Sequence, residues 1–84
     1  MIIRNNTITS YSTLAARGIN LSIVTNGLQV TGNTVEITGT SGKVALYISG
    51  VTGTSGNRIL VANNMFSVEV ISSGANAIYA NSSN

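Results

Sequence analysis

The sequence predicts an all-β chain folded as about three short coils stacked along one axis. Three observations predict it. One pattern occurs three times: an apolar residue, a two-residue corner ending in Asn, then apolar residues at alternate positions. The copies are Ile3-Arg4-Asn5-Asn6-Thr7-Ile8, Val30-Thr31-Gly32-Asn33-Thr34-Val35 and Val61-Ala62-Asn63-Asn64-Met65-Phe66. The second observation is their period. Asn33 follows Asn6 by 27 residues and Asn64 follows Asn33 by 31. Self-similarity at roughly 20–50 residues marks a solenoid or array. The third is a second landmark that advances in step: Gly18-Ile19-Asn20-Leu21, Ala45-Leu46-Tyr47-Ile48 and Ala77-Ile78-Tyr79-Ala80. Each repeat shows strand alternation and no helical stretch.

A repeat of this length with three short strands fits a parallel β-helix. The alternative is a small antiparallel β-sandwich, because Asn-Asn and Gly-Asn also suit two-residue hairpin turns. Hairpins, however, would recur every ~8–12 residues. The corner chemistry accounts for the Asn. A sharp corner needs positive φ, which Asn and Gly tolerate best. A stacked Asn can also bond its amide to the same group one coil away. Asn6, Asn33 and Asn64 are therefore structural corner residues.

The single domain 1–84 divides into coils of approximately 1–26, 27–55 and 56–84. In the first coil, Ile2-Ile3 and Ile8 bracket the corner, and Thr9 to Thr13 is hydroxyl-rich and extended. Ile19, Leu21 and Ile23 alternate with Asn20 and Ser22, and Asn26-Gly27 turns the chain. In the second coil, Leu28 and Val30 point inward with Gln29 outward, then Val35 and Ile37 inward with Glu36 outward. Thr38 to Gly42 reads as a loop. Val44, Leu46 and Ile48 resume the alternation and place Ala45 and Tyr47 outside. In the third coil, Ile59 and Val61 align with Leu28 and Val30. Phe66, Val68 and Val70 align with or extend Val35 and Ile37, and Ile78 and Ala80 align with Leu46 and Ile48. Asn81-Ser82-Ser83-Asn84 is a polar tail expected to fray.

Composition agrees. Asn, Ser, Thr and Gly make up 41 of the 84 residues, which suits corners and loops. Only 7% are charged while 43% are hydrophobic, so the chain has material for a core. There is no Cys or His, so neither a disulfide nor a Cys-His zinc site is expected. Four basic residues, Arg4, Arg17, Lys43 and Arg58, are too sparse and scattered for a nucleic-acid footprint. The longest apolar run, Val44 to Ile48, is far short of a membrane span. A chain this small buries only about 60% of its unfolded surface and is marginal alone. Partners are therefore expected, and Met1 suggests either a separately made chain or a cloning start on a fragment.

The pattern resembles the right-handed parallel β-helix family, which includes pectate lyases, rhamnogalacturonases and bacteriophage tailspikes. The resemblance rests on the corner residues Asn6, Asn33 and Asn64, the inward aliphatic stacks and the Gly-Ile-x-Leu-like strand starts. The Ser/Thr/Asn/Gly-rich, charge-poor composition is most similar to tailspike and tail-fibre modules. The resemblance implies right-handed coils, a virion or extracellular location, and a non-enzymatic structural or receptor-binding role without a cofactor. It also implies a homo-oligomer, a trimer first, or end-on stacking against a larger β-helix, and contact with host surface polysaccharide. The enzymatic alternative is a fragment or subunit of a polysaccharide depolymerase.

The only carboxylates are Glu36 and Glu69, both predicted outward, with Glu36 aligned to Ser67. Glycoside hydrolysis needs two carboxyl groups about 5–9.5 Å apart. Strands ~4.8 Å apart with a two-residue offset reach that range. The plainer reading is two solvated Glu that keep a sheet face soluble. Without Asp, a calcium cluster of pectate-lyase type is not expected, and without His or Cys no nucleophilic triad forms in cis. Tyr47 and Tyr79 occupy equivalent outward positions 32 residues apart. They read as a stabilising aromatic pair, a subunit contact or a sugar platform. Leu60 and Met65 are also predicted outward, beside Gln29 and Thr34, and hint at a lateral interface. The phrase Gly-Thr-Ser-Gly at 39–42 and 53–56 lacks the ending of a phosphate-binding loop and reads as loop composition.

Overall fold

The structure is a computed structural model, and it describes residues 1–81; Ser82, Ser83 and Asn84 of the predicted polar tail lie outside the described residues. The described residues form nine strands and no helix. They are β1 (Ile2–Arg4), β2 (Thr7–Ser12), β3 (Ala16–Ser22), β4 (Leu28–Thr31), β5 (Thr34–Gly39), β6 (Lys43–Ser49), β7 (Ile59–Ala62), β8 (Met65–Val70) and β9 (Ala75–Asn81). They assemble into three parallel three-stranded sheets: sheet A is β1-β4-β7, sheet B is β2-β5-β8 and sheet C is β3-β6-β9. The chain thus visits A, B and C in the same order three times, giving three units that follow the sequence repeats. All pairing is parallel, so the antiparallel sandwich is set aside.

The apolar alternation supplies the core. Leu28 and Val30 of β4, Val35 and Ile37 of β5, and Leu46 and Ile48 of β6 are buried together with Val24 and Val51. The last two lie in the segments that lead from sheet C back to sheet A. The register agrees with the repeat alignment: Val30 pairs with Val61, Val35 with Phe66, Leu46 with Ile78.

Four expectations are corrected. Thr38 and Gly39 belong to β5, not to a loop. In β6, Ala45 is buried and Val44 is half-exposed, the reverse of the expected order, while Leu46 and Ile48 are buried and Tyr47 is half-exposed as expected. The pairing skips the 18/45 and 45/77 positions, so the backbone breaks step there and sends two successive residues inward. Only small residues occupy the break. A Cβ on Gly18 would lie 2.5 Å from Val35 Cγ1. Ile23, expected inward, is 83% exposed with φ 54°. It sits at a corner, where its N–H donates to Ser49 C=O, and Val24 takes its place in the core. Finally, positive φ belongs not to Asn6, Asn33 and Asn64 but to the residue before each: Asn5 (58°), Gly32 (66°) and Asn63 (55°). The corner divides its work between a left-handed residue and a hydrogen-bonding one.

Candidate functional site

The outward face of sheet C gathers the most chemically varied side chains. Tyr47 and Tyr79 are direct register partners on β6 and β9. Their rings stack with centroids 5.2 Å apart and planes 3° from parallel. In the first unit the equivalent residue is Asn20, which is too short to extend the ladder. Arg17, three residues earlier on β3, fills the gap: its guanidinium carbon lies 3.6 Å from the Tyr47 ring centroid. An exposed cation over an aromatic face contributes about 0.5–1 kcal/mol. Tyr47 is therefore sandwiched, with Arg17 on one face and Tyr79 on the other. Tyr79 remains 43% exposed.

Beside this column runs an open groove of about 700 Å³, whose lining includes Arg17, Asn20, Val44, Tyr47, Asn76 and Tyr79. Asn20 and Asn76 add amide donors and acceptors to aromatic edges and one cation. This is a surface that can hold a polar, partly apolar ring by stacking and hydrogen bonds.

A second constellation lies at the corner between sheets A and B. Asn6 donates from its backbone N–H and Nδ2 to Oδ1 of Asn33, at 3.1 and 3.0 Å. Asn33 repeats the arrangement onto Oδ1 of Asn64, at 2.9 and 3.0 Å. The free amide hydrogens also reach back: Asn33 Nδ2 donates to Ile3 C=O and Asn64 Nδ2 to Val30 C=O. Asn33 is 1% exposed, and these bonds are what allow a buried amide there.

The candidate carboxylates lie elsewhere. Glu36 and Glu69 both sit on exposed positions of sheet B, and Glu36 pairs with Ser67 while Glu69 pairs with Thr38. The groove that contains Glu69 is lined by Tyr11, Thr38, Gly39, Val70 and Ile71, not by Glu36. Leu60 and Met65 are exposed, at 47% and 68%, on β7 and β8. They flank the third unit's corner, away from the Tyr column on sheet C. Among the described residues no group of three or more His, Cys, Asp or Glu could hold a metal ion.

Two residues escaped sequence reasoning. Arg17 is one; the interruption of the Tyr ladder at Asn20 was the signal that a neighbour had to fill it. Lys43 is the other. It is fully buried, and its Nζ donates to the backbone carbonyls of Leu14 and Ser41. Gly39 makes room for it, since a Cβ there would lie 2.7 Å from Lys43 Cε and 1.9 Å from Ser12 C=O. Its register neighbours are Ala16 and Ala75, so nothing in the repeat marks the position. Lys43 ties the B-to-C corners of two units together through their carbonyl oxygens.

No protein-family model, no curated protein and no solved structure matches the chain.

Proposed function

We propose that the chain is a short right-handed parallel β-helix module of the kind found in bacteriophage tailspikes and tail fibres. In this reading it is non-enzymatic, works on a virion or another extracellular surface, and contacts host polysaccharide through the outward face of sheet C. The single observation that carries the reading is the Arg17–Tyr47–Tyr79 column beside its Asn-lined groove. Sugars present apolar ring faces and dense hydroxyls, and this surface offers an exposed aromatic with two amides along the same groove. Both carboxylates of the chain lie on sheet B, so Arg17 gives the groove a positive character. That favours polysaccharides carrying acidic sugars.

Binding to an acidic polysaccharide, measured by calorimetry or affinity electrophoresis, tests it. Tyr79→Ala and Arg17→Ala should each weaken binding about tenfold without loss of the β-type circular dichroism. Unchanged binding in both variants would refute the role of this face. A depolymerase is less well supported, because Glu36 and Glu69, two register positions apart, are both exposed and the groove that Glu69 lines does not include Glu36.

A further inference from the structure

The Asn ladder stops unfinished at both ends, and the two ends match. Asn6 and Asn33 each donate a backbone N–H and an amide hydrogen to the Asn of the following unit. Asn64 holds the same two donors, and among the described residues neither meets an acceptor. Its other amide hydrogen goes to Val30 C=O at 2.8 Å, as Asn33 does with Ile3. At the opposite end Oδ1 of Asn6 accepts no hydrogen bond among the described residues, whereas Oδ1 of Asn33 and of Asn64 each accept two.

The sheet edges match in the same sense. Met65 N–H donates to Asn33 C=O and Ile71 N–H to Gly39 C=O. The alternate residues Phe66 and Val68 therefore turn their N–H and C=O groups away from β5, where no strand lies among the described residues. Carrying the observed register one unit further sets Leu60 beside Ile2 of a next copy, Val61 beside Ile3, Phe66 beside Ile8 and Ile78 beside Ile19. Leu60 and Ile2 are outward and exposed, at 47% and 60%, so a joint would cover both. The same register brings Tyr79 beside Asn20 of the next copy, the gap that Arg17 fills. A guanidinium has two faces: one lies on Tyr47 of its own chain, and the other would lie on Tyr79 of the preceding copy.

We propose that copies of this chain join head to tail, the β7-β8-β9 edge of one against the β1-β2-β3 edge of the next, with Asn64 donating to Asn6 across the joint. This contact is heterologous and does not close, so it builds a rod. Each copy adds about 14 Å, three strand spacings of ~4.8 Å. The proposal rests on the parallel register and not on the polysaccharide reading, and its test changes Ile2, Leu60 and Val68, none of which lines the Tyr groove, so loss of glycan binding and loss of assembly are separate results.

The test is light scattering across a concentration series. The wild-type mass should rise with concentration without a plateau. Ile2→Lys with Leu60→Lys places like charges opposite each other only across the joint, because Gln29 separates them within a chain. That pair should raise the concentration needed for assembly roughly tenfold. Ile2→Glu with Leu60→Lys should restore growth and make it salt-sensitive. Val68→Pro is a second route. It removes an N–H that points at the open edge, so it should act as a chain terminator that shortens wild-type rods on mixing. A mass fixed at one or three chains, growth indifferent to both charge pairs, or rods unchanged by Val68→Pro would each overturn the proposal.

Discussion

Val30 and Val61 are the same residue at the same height of the same inward stack, one unit apart. Val30 is completely buried, while Val61 is only half-buried. The contrast extends to whole units. In the middle unit the inward residues of β4, β5 and β6 are at most 3% exposed. In the third unit every residue of β9 is exposed, and Ile78 is 49% exposed against 0% for its partner Leu46. What buries a side chain here is less its own hydrophobicity than the unit on either side of it. Stability in such an array is close to a sum of unit terms and nearest-neighbour terms. The middle unit has two neighbours, and each outer unit has one.

Four pairs of substitutions sharpen or break that comparison. The largest expected effect is at the Asn ladder. Asn33→Ala removes a buried amide and strands Asn6 N–H and Ile3 C=O, each a loss of about 1–3 kcal/mol. It should leave the chain unfolded by circular dichroism at room temperature. Asn64→Ala strands Asn33 N–H and Val30 C=O, both in the buried middle unit, and should cost at least as much. A loss in Asn64→Ala much smaller than in Asn33→Ala would contradict the burial of the middle unit as the source of these costs. Next come the paired valines. Val30→Ala should cost about 2 kcal/mol in urea unfolding and Val61→Ala about 1 kcal/mol, because burial and cavity terms scale with how enclosed the methyls are.

A smaller effect, of opposite sign, concerns the C-to-A corners. The second unit has Gly50 there (φ 65°), while the first has Ile23 (φ 54°). A β-branched residue in the left-handed region is strained by about 1–2 kcal/mol. Ile23→Gly should therefore stabilise the chain by about 1 kcal/mol, and Gly50→Ile should destabilise it. A lower melting temperature in Ile23→Gly would argue against the strained corner. The smallest effect is expected from Glu36→Gln and Glu69→Gln, each within about 0.5 kcal/mol of wild type. Any polysaccharide cleavage by the chain should survive both changes; its loss in either would revive the depolymerase reading.

How much of this was legible in the sequence follows from what repeats. The strand pairs Tyr47–Tyr79 and Glu36–Ser67 and the ladder Asn6–Asn33–Asn64 could all be aligned, because residues at one period stack directly in parallel sheets. Features that depart from strict alternation were not legible. The inward turn of both Ala45 and Leu46 comes from a backbone break that period-two reasoning cannot see. Its only trace is the small residue at Gly18, Ala45 and Ala77. The burial of Lys43 was not legible, because a buried lysine needs carbonyls from two loops, Leu14 and Ser41, that local pattern does not bring together. Ile23 continued an apolar alternation that the corner in fact interrupts. At the candidate site the Tyr pair was visible, but Arg17 was not, since it reaches Tyr47 diagonally from a position that pairs with Val44.

The most direct test of the account is amide hydrogen exchange on a dilute sample. Neighbour-derived stability predicts the slowest exchange in β4, β5 and β6 and faster exchange in β1–β3 and β7–β9. Equal protection in all three units, or a middle unit that exchanges faster than the outer ones, would contradict it.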